Sequence, residues 1–286
     1  METKISTIAI AGAGTMGQGI ALACAMAGYT TRLYDIQPAA CVRALQQINL
    51  LLDQLVAKNK LSAAGATALS NKITASSERS QLQANVVVEA IAENLLLKQN
   101  LLKEAEQLNQ QQALLVSNTS SLSVTKIASV LTNPGLCAGL HFFNPAHILK
   151  LVEVVVGQQT ARETISRLST FAQSLGKTVV VAKDSPGFIV NRVARPFYTE
   201  ALYALEHQAA SPEAIDALLR SAGFKMGPFE LMDLIGMDVN YAVTESVWQG
   251  LNKPARFTPA NVQKEKIEKG ELGRKSGKGF YTYPQK

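Results

Sequence analysis

The stretch KISTIAIAGAGTMGQGIALACAMAG, residues 4 to 28, decides the fold. Its first part, Ile5 to Ala11, is an apolar run rich in β-branched residues, and its last part has the small apolar residues typical of a buried helix that ends at Gly28. Between the two lies the pattern G-x-G-x-x-G. The stretch therefore predicts a strand, a glycine turn and a helix, which is the order that a dinucleotide-binding unit requires.

The three glycines of this turn have different expected roles. Gly12 permits the tight turn, Gly14 lets the backbone approach a pyrophosphate, and Gly17 lets the helix pack closely on the strand. Thr15 and Met16 open the helix, whose free N–H groups and positive dipole end favour phosphates. Glycine turns between strands and helices are common, so this motif by itself is a weak signal.

The second strand strengthens the prediction of a dinucleotide site. The run Thr30 to Tyr34 ends in Asp35, which follows Gly12 by roughly the 20 residues at which such folds place an acid on the adenine ribose hydroxyls. The Asp35 carboxylate would repel the 2′-phosphate of NADP. We therefore expect NAD to be the cofactor.

A helical hairpin is expected after this strand. A helix that begins near Pro38 continues to Lys60, and Leu61 to Asn71 forms the return arm. Lys58 and Lys60 lie at the tip of the hairpin. They are either solvated charges or contacts for the phosphates of a ligand.

Two more buried strands are expected at residues 85 to 91 and 113 to 118. Ligands of open α/β sheets bind beyond the carboxyl ends of the strands, which places Glu93, Lys98 and Ser120 near a ligand. Simpler interpretations exist for all three. Glu93 and Lys98 could form an exposed pair on the intervening helix, and Ser120 or its neighbour could only cap the next turn.

The stretch CAGLHFFNPAHILKLVEVVVG, residues 137 to 157, places two groups of complementary acid–base chemistry in an apolar segment. It predicts a strand over residues 138 to 143, a turn at Asn144-Pro145 and a return strand over residues 149 to 156. The return would bring Glu153 beside His141. A carboxylate there fixes the tautomer of the imidazole and stabilises its conjugate acid, as a general base requires. The alternative is a structural histidine beside a solvated glutamate.

The pattern changes at Pro186, where we place the boundary between a domain of residues 1–185 and one of residues 186–286. The first is predicted to be a Rossmann-type, doubly wound α/β sheet and the second a smaller all-helical domain. Pro196 predicts a kink in the first helix of the second domain, or a break at Arg195. Gly227 opens one further long helix, over residues 228 to 249. Because this domain is short for an independent core, we expect it to pack against the first domain or a second subunit.

Composition limits the class of protein. The chain has 286 residues, of which 47% are hydrophobic and 17% charged, so it can form sizeable cores. No secretory signal and no run of about 18 apolar residues stands out, so we expect a cytoplasmic protein without a membrane partner. Cys24, Cys41 and Cys137 lie in apolar surroundings that suit small buried side chains, and we expect no disulfide and no metal site.

The formal charge of +6 does not indicate a nucleic-acid partner, because the positive residues are dispersed. The densest region, residues 264 to 278, alternates in sign and is expected to be a solvated tail. A mild positive balance would also suit a small polyphosphorylated ligand.

Several motifs in order give the chain a resemblance to a known family. They are GAGTMGQGIA (11 to 20), VEAIAEN (88 to 94), SNTSSL (117 to 122), GLHFFNP (139 to 145), KLVEVV (150 to 155), DSPGFIVNR (184 to 192), MGPFELMDLIGMD (226 to 238) and GRKSGKGFY (273 to 281). With these motifs the chain resembles, over nearly its whole length, the 3-hydroxyacyl-CoA dehydrogenase family in its short form of the 3-hydroxybutyryl-CoA dehydrogenase type.

The resemblance implies a role for each matching residue. His141 would be the catalytic base and Glu153 its partner, with Ser120 and Asn191 around the 3-oxygen of the substrate. The nicotinamide half of the NAD site would be lined by Glu93, Lys98, Ser120 and Asn144. The substrate would be an acyl-CoA, and the protein a homodimer formed mainly by its helical part. Lys60 is added from its position at the tip of the hairpin, as a candidate contact for the phosphates of the substrate.

The residues Ala146 to Leu149 depart from the family pattern, which leaves the catalytic pair intact but puts the preferred acyl chain in doubt. Two other functions remain open at this stage. One is an NAD-linked dehydrogenase of another hydroxyacid, such as a sugar acid. The other is a non-catalytic, crystallin-like protein on the same fold, against which the intact His141 and Glu153 argue.

Overall fold

One eight-stranded sheet organises the first part of the molecule. The computed structural model describes residues 4–284, and the chain divides into two compact units, Met1–Ser185 and Pro186–Lys286. The strands of the sheet are, in chain order, β1 (Thr7–Ala11), β2 (Thr30–Tyr34), β3 (Ile73–Ser76), β4 (Val86–Glu89), β5 (Leu114–Ser117), β6 (Cys137–Phe142), β7 (Leu151–Val156) and β8 (Thr178–Lys183).

The strand order is β3-β2-β1-β4-β5-β6-β7-β8, so the chain reverses direction across the sheet between β1 and β4. Strands β1 to β6 are parallel, β7 is antiparallel to β6, and β8 is parallel to β7. The predicted doubly wound sheet is confirmed. The edge strand β3 was not predicted, since Ile73–Ser76 is short and three of its four residues are partly or fully exposed.

The helices of the first unit connect the strands. They are α1 (Thr15–Met26), α2 (Pro38–Ala57), α3 (Ala63–Ser70), α4 (Leu95–Leu108), α5 (Val124–Ala128) and α6 (Arg162–Ser174). Together, α2 and α3 form the predicted helical hairpin.

Successive residues of the central strands face two different cores. Ile8 and Ile10 of β1 belong to one apolar cluster, whereas Ala9 and Ala11 belong to another on the opposite face of the sheet. Strand side chains alternate between faces, and a sheet covered on both sides needs apolar residues at every position. The uninterrupted apolar runs of the sequence are therefore explained by two layers of helices. The three cysteines are buried, as predicted.

The second unit is formed by five helices: α7 (Val190–Glu206), α8 (Pro212–Ser221), α9 (Pro228–Ile235), α10 (Met237–Gly250) and α11 (Asn261–Glu268). The break expected at Arg195 is absent, because α7 runs through Pro196. The single long helix expected after Gly227 is wrong. Gly236 adopts a φ of 102° that separates α9 from α10, a backbone conformation that glycine adopts at little cost.

Residues 264–278, expected to be a solvated tail, keep most of their charged side chains exposed, but residues 264–268 belong to α11 and the chain beyond it folds back onto α9. The buried carboxylate of Asp233 accepts hydrogen bonds from the N–H groups of Phe280 and Tyr281, each 2.9 Å long, and from the Tyr283 hydroxyl. Burial and this carboxylate raise the pKa of Tyr283 to about 12. A side chain at Gly273 would overlap the backbone of Asp233, so the segment can dock only with glycine there.

No helix in residues 4–284 has the length and the apolar character needed to cross a membrane.

Two glycines of this tail allow the docking to be tested. Gly270 and Gly273 both have positive φ, 71° and 94°, but a Cβ at Gly270 would meet no atom within 4 Å. We expect Gly270→Ala to lower the free energy of unfolding by about 1 kcal/mol from backbone strain alone. Gly273→Ala should lower it by about 3 kcal/mol, because overlap is added to strain. Denaturant titration followed by circular dichroism measures both, and equal losses would show that the tail is not packed on α9.

Candidate active site

The glycine turn lies between the ends of β1 and β2, where the sequence predicted it. The N–H of Gly12 donates to the carbonyl of Tyr34 at 2.7 Å, and the N–H of Ala13 donates to Oδ2 of Asp35 at 2.9 Å. A Cβ on Gly12 would overlap the carbonyl of Ala90, and one on Gly17 would overlap the carbonyl of Gly12. These two positions therefore require glycine for packing.

Gly14 differs from these two glycines, because a Cβ built on it would meet no atom within 4 Å. Gly14 is exposed and precedes α1 as its N-cap, and no side chain caps that helix end. The N–H groups of Thr15 and Met16 begin the first turn of a 12-residue helix with its positive dipole end toward this open side. The residues present therefore fit the pyrophosphate of a dinucleotide.

A buried ion pair lies at the ends of β4 and β5, which are on the other side of β1 from Asp35. Nζ of Lys98 lies 2.6 Å from Oε1 of Glu89, and the two residues are 1% and 0% exposed. The hydroxyl of Ser117 donates to the other oxygen of Glu89. Sequence reasoning missed Glu89, which looks like one more position in the buried run of β4.

The carboxylate of Glu93 holds the loop that follows β5. Its Oε1 accepts hydrogen bonds from the N–H groups of Ser120 and Ser121, each 3.2 Å long, and from the hydroxyls of Thr119 and Ser121. Its Oε2 lies 3.1 Å from Nζ of Lys98. Burial opposes ionisation of Glu93, but the Lys98 ammonium and the hydroxyl donors outweigh it and leave the pKa of Glu93 below its usual value.

The structure thus brings Glu93, Lys98 and Ser120 together, as expected from their positions beyond the strand ends. The alternative of an exposed Glu93–Lys98 pair on a helix is wrong, because Lys98 is buried and Glu93 precedes α4. The alternative that Ser120 or Ser121 caps α5 is also wrong. Ser123 is the N-cap, and its hydroxyl accepts from the N–H of Lys126.

His141 and Glu153 are directly opposite each other on the antiparallel strands β6 and β7. Nδ1 of His141 lies 2.7 Å from Oε2 of Glu153, and the residues are 5% and 0% exposed. The prediction that the return strand places Glu153 beside His141 is confirmed, and Glu153 is not solvated. With Nδ1–H donating to the carboxylate, Nε2 is the nitrogen that carries the lone pair.

The backbone next to His141 is tied to the end of β5. Oδ1 of Asn118 accepts from the N–H of Phe142 at 2.8 Å, which joins the Ser120 loop to the strand of His141. After β6 come Asn144, which is exposed, and a cis peptide bond to Pro145.

Lys177 closes the loop that follows the cis peptide. Its Nζ donates to the carbonyls of Ala146 at 2.6 Å and Leu149 at 2.9 Å. Burial lowers the pKa of Lys177. This tether was not apparent from the sequence, since Lys177 lies beyond α6.

Two predicted site residues are placed elsewhere in the fold. Lys60 is exposed between α2 and α3, at the tip of the helical hairpin. Asn191 is the second residue of α7 in the second unit, and its carbonyl accepts from Nε of Arg195 at 3.2 Å. Their contacts with a substrate remain predictions.

Comparison with protein families accounts for both units. The model of the 3-hydroxyacyl-CoA dehydrogenase NAD-binding domain matches residues 7–185, and the model of the C-terminal domain of the same family matches residues 187–283. The chain belongs to the 3-hydroxyacyl-CoA dehydrogenase family. The predicted family, the NAD cofactor and the oxidoreductase class are thereby confirmed.

Individual members of this family are similar to the chain over nearly its whole length. The chain is 47% identical to 3-hydroxyadipyl-CoA dehydrogenase of Escherichia coli over 99% of its own length, but it spans only 60% of that protein. It is 38% identical to a probable 3-hydroxybutyryl-CoA dehydrogenase of Bacillus subtilis, with 99% of both chains covered. Its fold matches the crystal structure of (S)-3-hydroxybutyryl-CoA dehydrogenase from Ralstonia eutropha with a TM-score of 0.93 at 37% identity, covering 99% of this chain and 100% of that one.

The position of Asp35 leads to a prediction about cofactor choice. Its carboxylate would face a 2′-phosphate, and like charges about 4 Å apart repel by about 4 kcal/mol at an effective dielectric near 20. We expect kcat/KM for NAD to exceed that for NADP by more than tenfold, and Asp35→Ala to reduce this ratio. Asp53→Ala, which removes an exposed carboxylate from α2, is the matched control and should leave the ratio unchanged. Equal efficiency with the two cofactors in the parent protein would contradict the assignment.

Proposed function

We propose that the chain catalyses the NAD-dependent oxidation of a 3-hydroxyacyl-CoA to a 3-oxoacyl-CoA, and the reverse reduction. The observation that carries the proposal is the buried His141–Glu153 pair, 2.7 Å apart, in a chain of this family. The pair supplies a proton acceptor whose orientation is fixed. Oxidation of a secondary alcohol requires one, because its hydroxyl proton must be removed.

Bound NAD supplies the hydride acceptor, and the chain supplies the base and the positioning groups. His141 accepts the hydroxyl proton at Nε2. Glu153 keeps Nδ1 protonated, so that Nε2 is the accepting nitrogen, and stabilises the imidazolium that results. In the reduction His141 returns this proton to the 3-oxygen.

The other assignments of the site are part of the same proposal. Ser120 and Asn191 would position the 3-oxygen, and Glu93, Lys98 and Asn144 would line the nicotinamide half of the cofactor site. Lys60 would contact the CoA phosphates. Support comes from the cluster that Glu93, Lys98 and Ser120 form at the carboxyl ends of β4 and β5, where ligands of such sheets bind.

The acyl group is the least determined part of the substrate. Relatives are named for 3-hydroxybutyryl-CoA and for 3-hydroxyadipyl-CoA, so we propose a short acyl chain of about this size. Assaying NADH oxidation with acetoacetyl-CoA, 3-oxoadipyl-CoA and longer esters would identify it. Turnover of a free sugar acid without CoA would instead favour the other dehydrogenase function. The absence of turnover with all of these substrates would favour a non-catalytic protein.

We predict that His141 and Glu153 act as one catalytic unit. His141→Gln should lower kcat for acetoacetyl-CoA reduction by about 10² to 10⁴, while the affinity for NADH stays near its original value. Glu153→Gln should also be damaging, because an amide cannot stabilise the imidazolium. Because both changes disable the same acid–base pair, kcat of the double variant should be little lower than that of the more damaged single variant.

The control for this experiment is His207→Gln, which changes an exposed histidine of α7 and should preserve kcat. Fully additive losses in the double variant, or a His141→Gln variant that keeps most of its activity, would reduce His141 to a structural histidine.

We also propose that the protein is a cytoplasmic homodimer. Support for a dimer comes from the second unit, where large apolar side chains lie on one exposed face of α7. Val193 is 72% and Tyr203 57% exposed, and Pro196 lies on the same face. Exposed apolar patches mark interaction surfaces, and the same face of a second copy is self-complementary in a symmetric dimer.

A charge on this face of α7 tests the dimer. Val193→Glu would place two carboxylates against each other in a symmetric interface, and we expect a monomer in sedimentation velocity at concentrations where the parent protein is a dimer. Leu96→Glu changes a comparably exposed apolar residue of the first unit, 63% exposed, and should leave the dimer intact. A parent protein that sediments as a monomer would refute the proposal.

A further inference from the structure

We propose that Glu89 is a positioning residue for the nicotinamide half of the cofactor site, acting through Lys98 and the loop after β5. It is the last residue of β4 and is fully buried. In the register of the sheet it lies between Ala11 at the end of β1 and Ser117 at the end of β5. Its carboxylate is therefore at the carboxyl ends of the central strands, where the proposed cofactor site lies. The proposal rests on the proposed NAD-linked function.

One oxygen of Glu89 fixes Lys98. Oε1 lies 2.6 Å from Nζ of Lys98 and accepts from the N–H of Ile91 at 2.8 Å. The Lys98 ammonium also contacts the carbonyl of Ile91 at 3.3 Å and Oε2 of Glu93 at 3.1 Å. An ammonium that is 1% exposed needs a carboxylate beside it, because burial of an unpaired charge is costly. Glu89 provides the shorter of the two carboxylate contacts.

The other oxygen of Glu89 orders the loop after β5. The Ser117 hydroxyl donates to Oε2 of Glu89 and accepts from the N–H of Thr119 at 3.3 Å. The Thr119 hydroxyl in turn donates to Glu93, whose Oε1 also holds Ser120. The Ser117 hydroxyl has one proton, which it donates to Glu89. Its lone pairs are therefore left to accept the N–H of Thr119. Glu89 is therefore connected to Ser120 through a continuous series of hydrogen bonds.

The geometry also indicates which half of the cofactor these contacts serve. A dinucleotide crosses the point where the strand order reverses, which lies here between β1 and β4. Asp35 at the end of β2 marks the adenosine side. The ends of β4 and β5, and with them Glu89, therefore serve the nicotinamide side.

Two ligands distinguish a positioning role of Glu89 from a general contribution to the stability of the protein. NADH carries the nicotinamide ring, whereas ADP-ribose carries only the adenosine, the pyrophosphate and the second ribose. We expect Glu89→Gln to raise the dissociation constant of NADH by about tenfold or more, the size of effect given by losing a hydrogen bond to a charged group. The dissociation constant of ADP-ribose should change by less than about twofold, since its adenosine and pyrophosphate are expected at Asp35 and the glycine turn. Calorimetric titration measures both without any substrate.

Glu106→Gln is the matched control. Glu106 is also a buried glutamate, 3% exposed, and accepts from the N–H groups of Thr132 and Asn133, but it lies at the opposite end of α4 from the site. It should leave the affinities for both ligands unchanged. A loss of NADH affinity in this variant equal to that in Glu89→Gln would overturn the proposal.

Ser117→Ala is the second variant, because it removes one hydrogen bond of Glu89 without leaving a buried charge unpaired. It should weaken NADH selectively but less than Glu89→Gln does, and it decides the question if Glu89→Gln does not fold. Equal losses for NADH and ADP-ribose in these variants, or no loss for NADH, would overturn the proposal. Failure of the proposed function is a separate result, namely a parent protein that binds NADH but turns over no 3-oxoacyl-CoA.

Discussion

The first unit depends on the close approach of α1 to the turn that follows β1. A side chain at Gly17 would overlap the carbonyl of Gly12, and one at Gly12 would overlap the carbonyl of Ala90. These two contacts pack the end of β1, the start of α1 and the residue after β4 closely together. The open N-terminus of α1 is held there beside Asp35. Gly12 and Gly17 thus permit this packing, while Gly14 leaves the N-terminus of α1 open.

The candidate site also contains two buried carboxylates, Glu153 and Glu89, which have different partners. Glu153 lies against His141 of the paired strand, whereas Glu89 lies against Lys98 of α4. Burial of a carboxylate is costly unless donors surround it, and in both cases a strand end or a strand neighbour supplies the donor. Both carboxylates are thus fixed by partners that the fold brings to them, one on β7 and the other at the end of β4.

The features that could be predicted from the sequence are local. The glycine turn and Asp35 belong to one strand-helix-strand unit, and His141 meets Glu153 because a hairpin return determines its own register. Most contacts between distant segments could not be predicted, and the cluster of Glu93, Lys98 and Ser120 is an exception because these residues follow the ends of adjacent strands. Glu89 reads as part of an apolar strand until the fold brings Lys98 and Ser117 to it. In the second unit, Gly236 lies within a helical pattern, and only its backbone conformation shows the break.

The pairing of β6 with β7 makes the position of His141 and Glu153 independent of the segment that connects the two strands. His141 and Glu153 are held in register by backbone hydrogen bonds between the strands, not by the residues that connect them. The connection from Phe143 to Lys150 is anchored independently, by the Lys177 ammonium on two of its carbonyls. Substitutions in this connection can therefore change the surface beside the histidine while the register of His141 and Glu153 is kept. For a dehydrogenase that works as proposed above, such a division would allow the substrate to change while the acid–base pair stays in place.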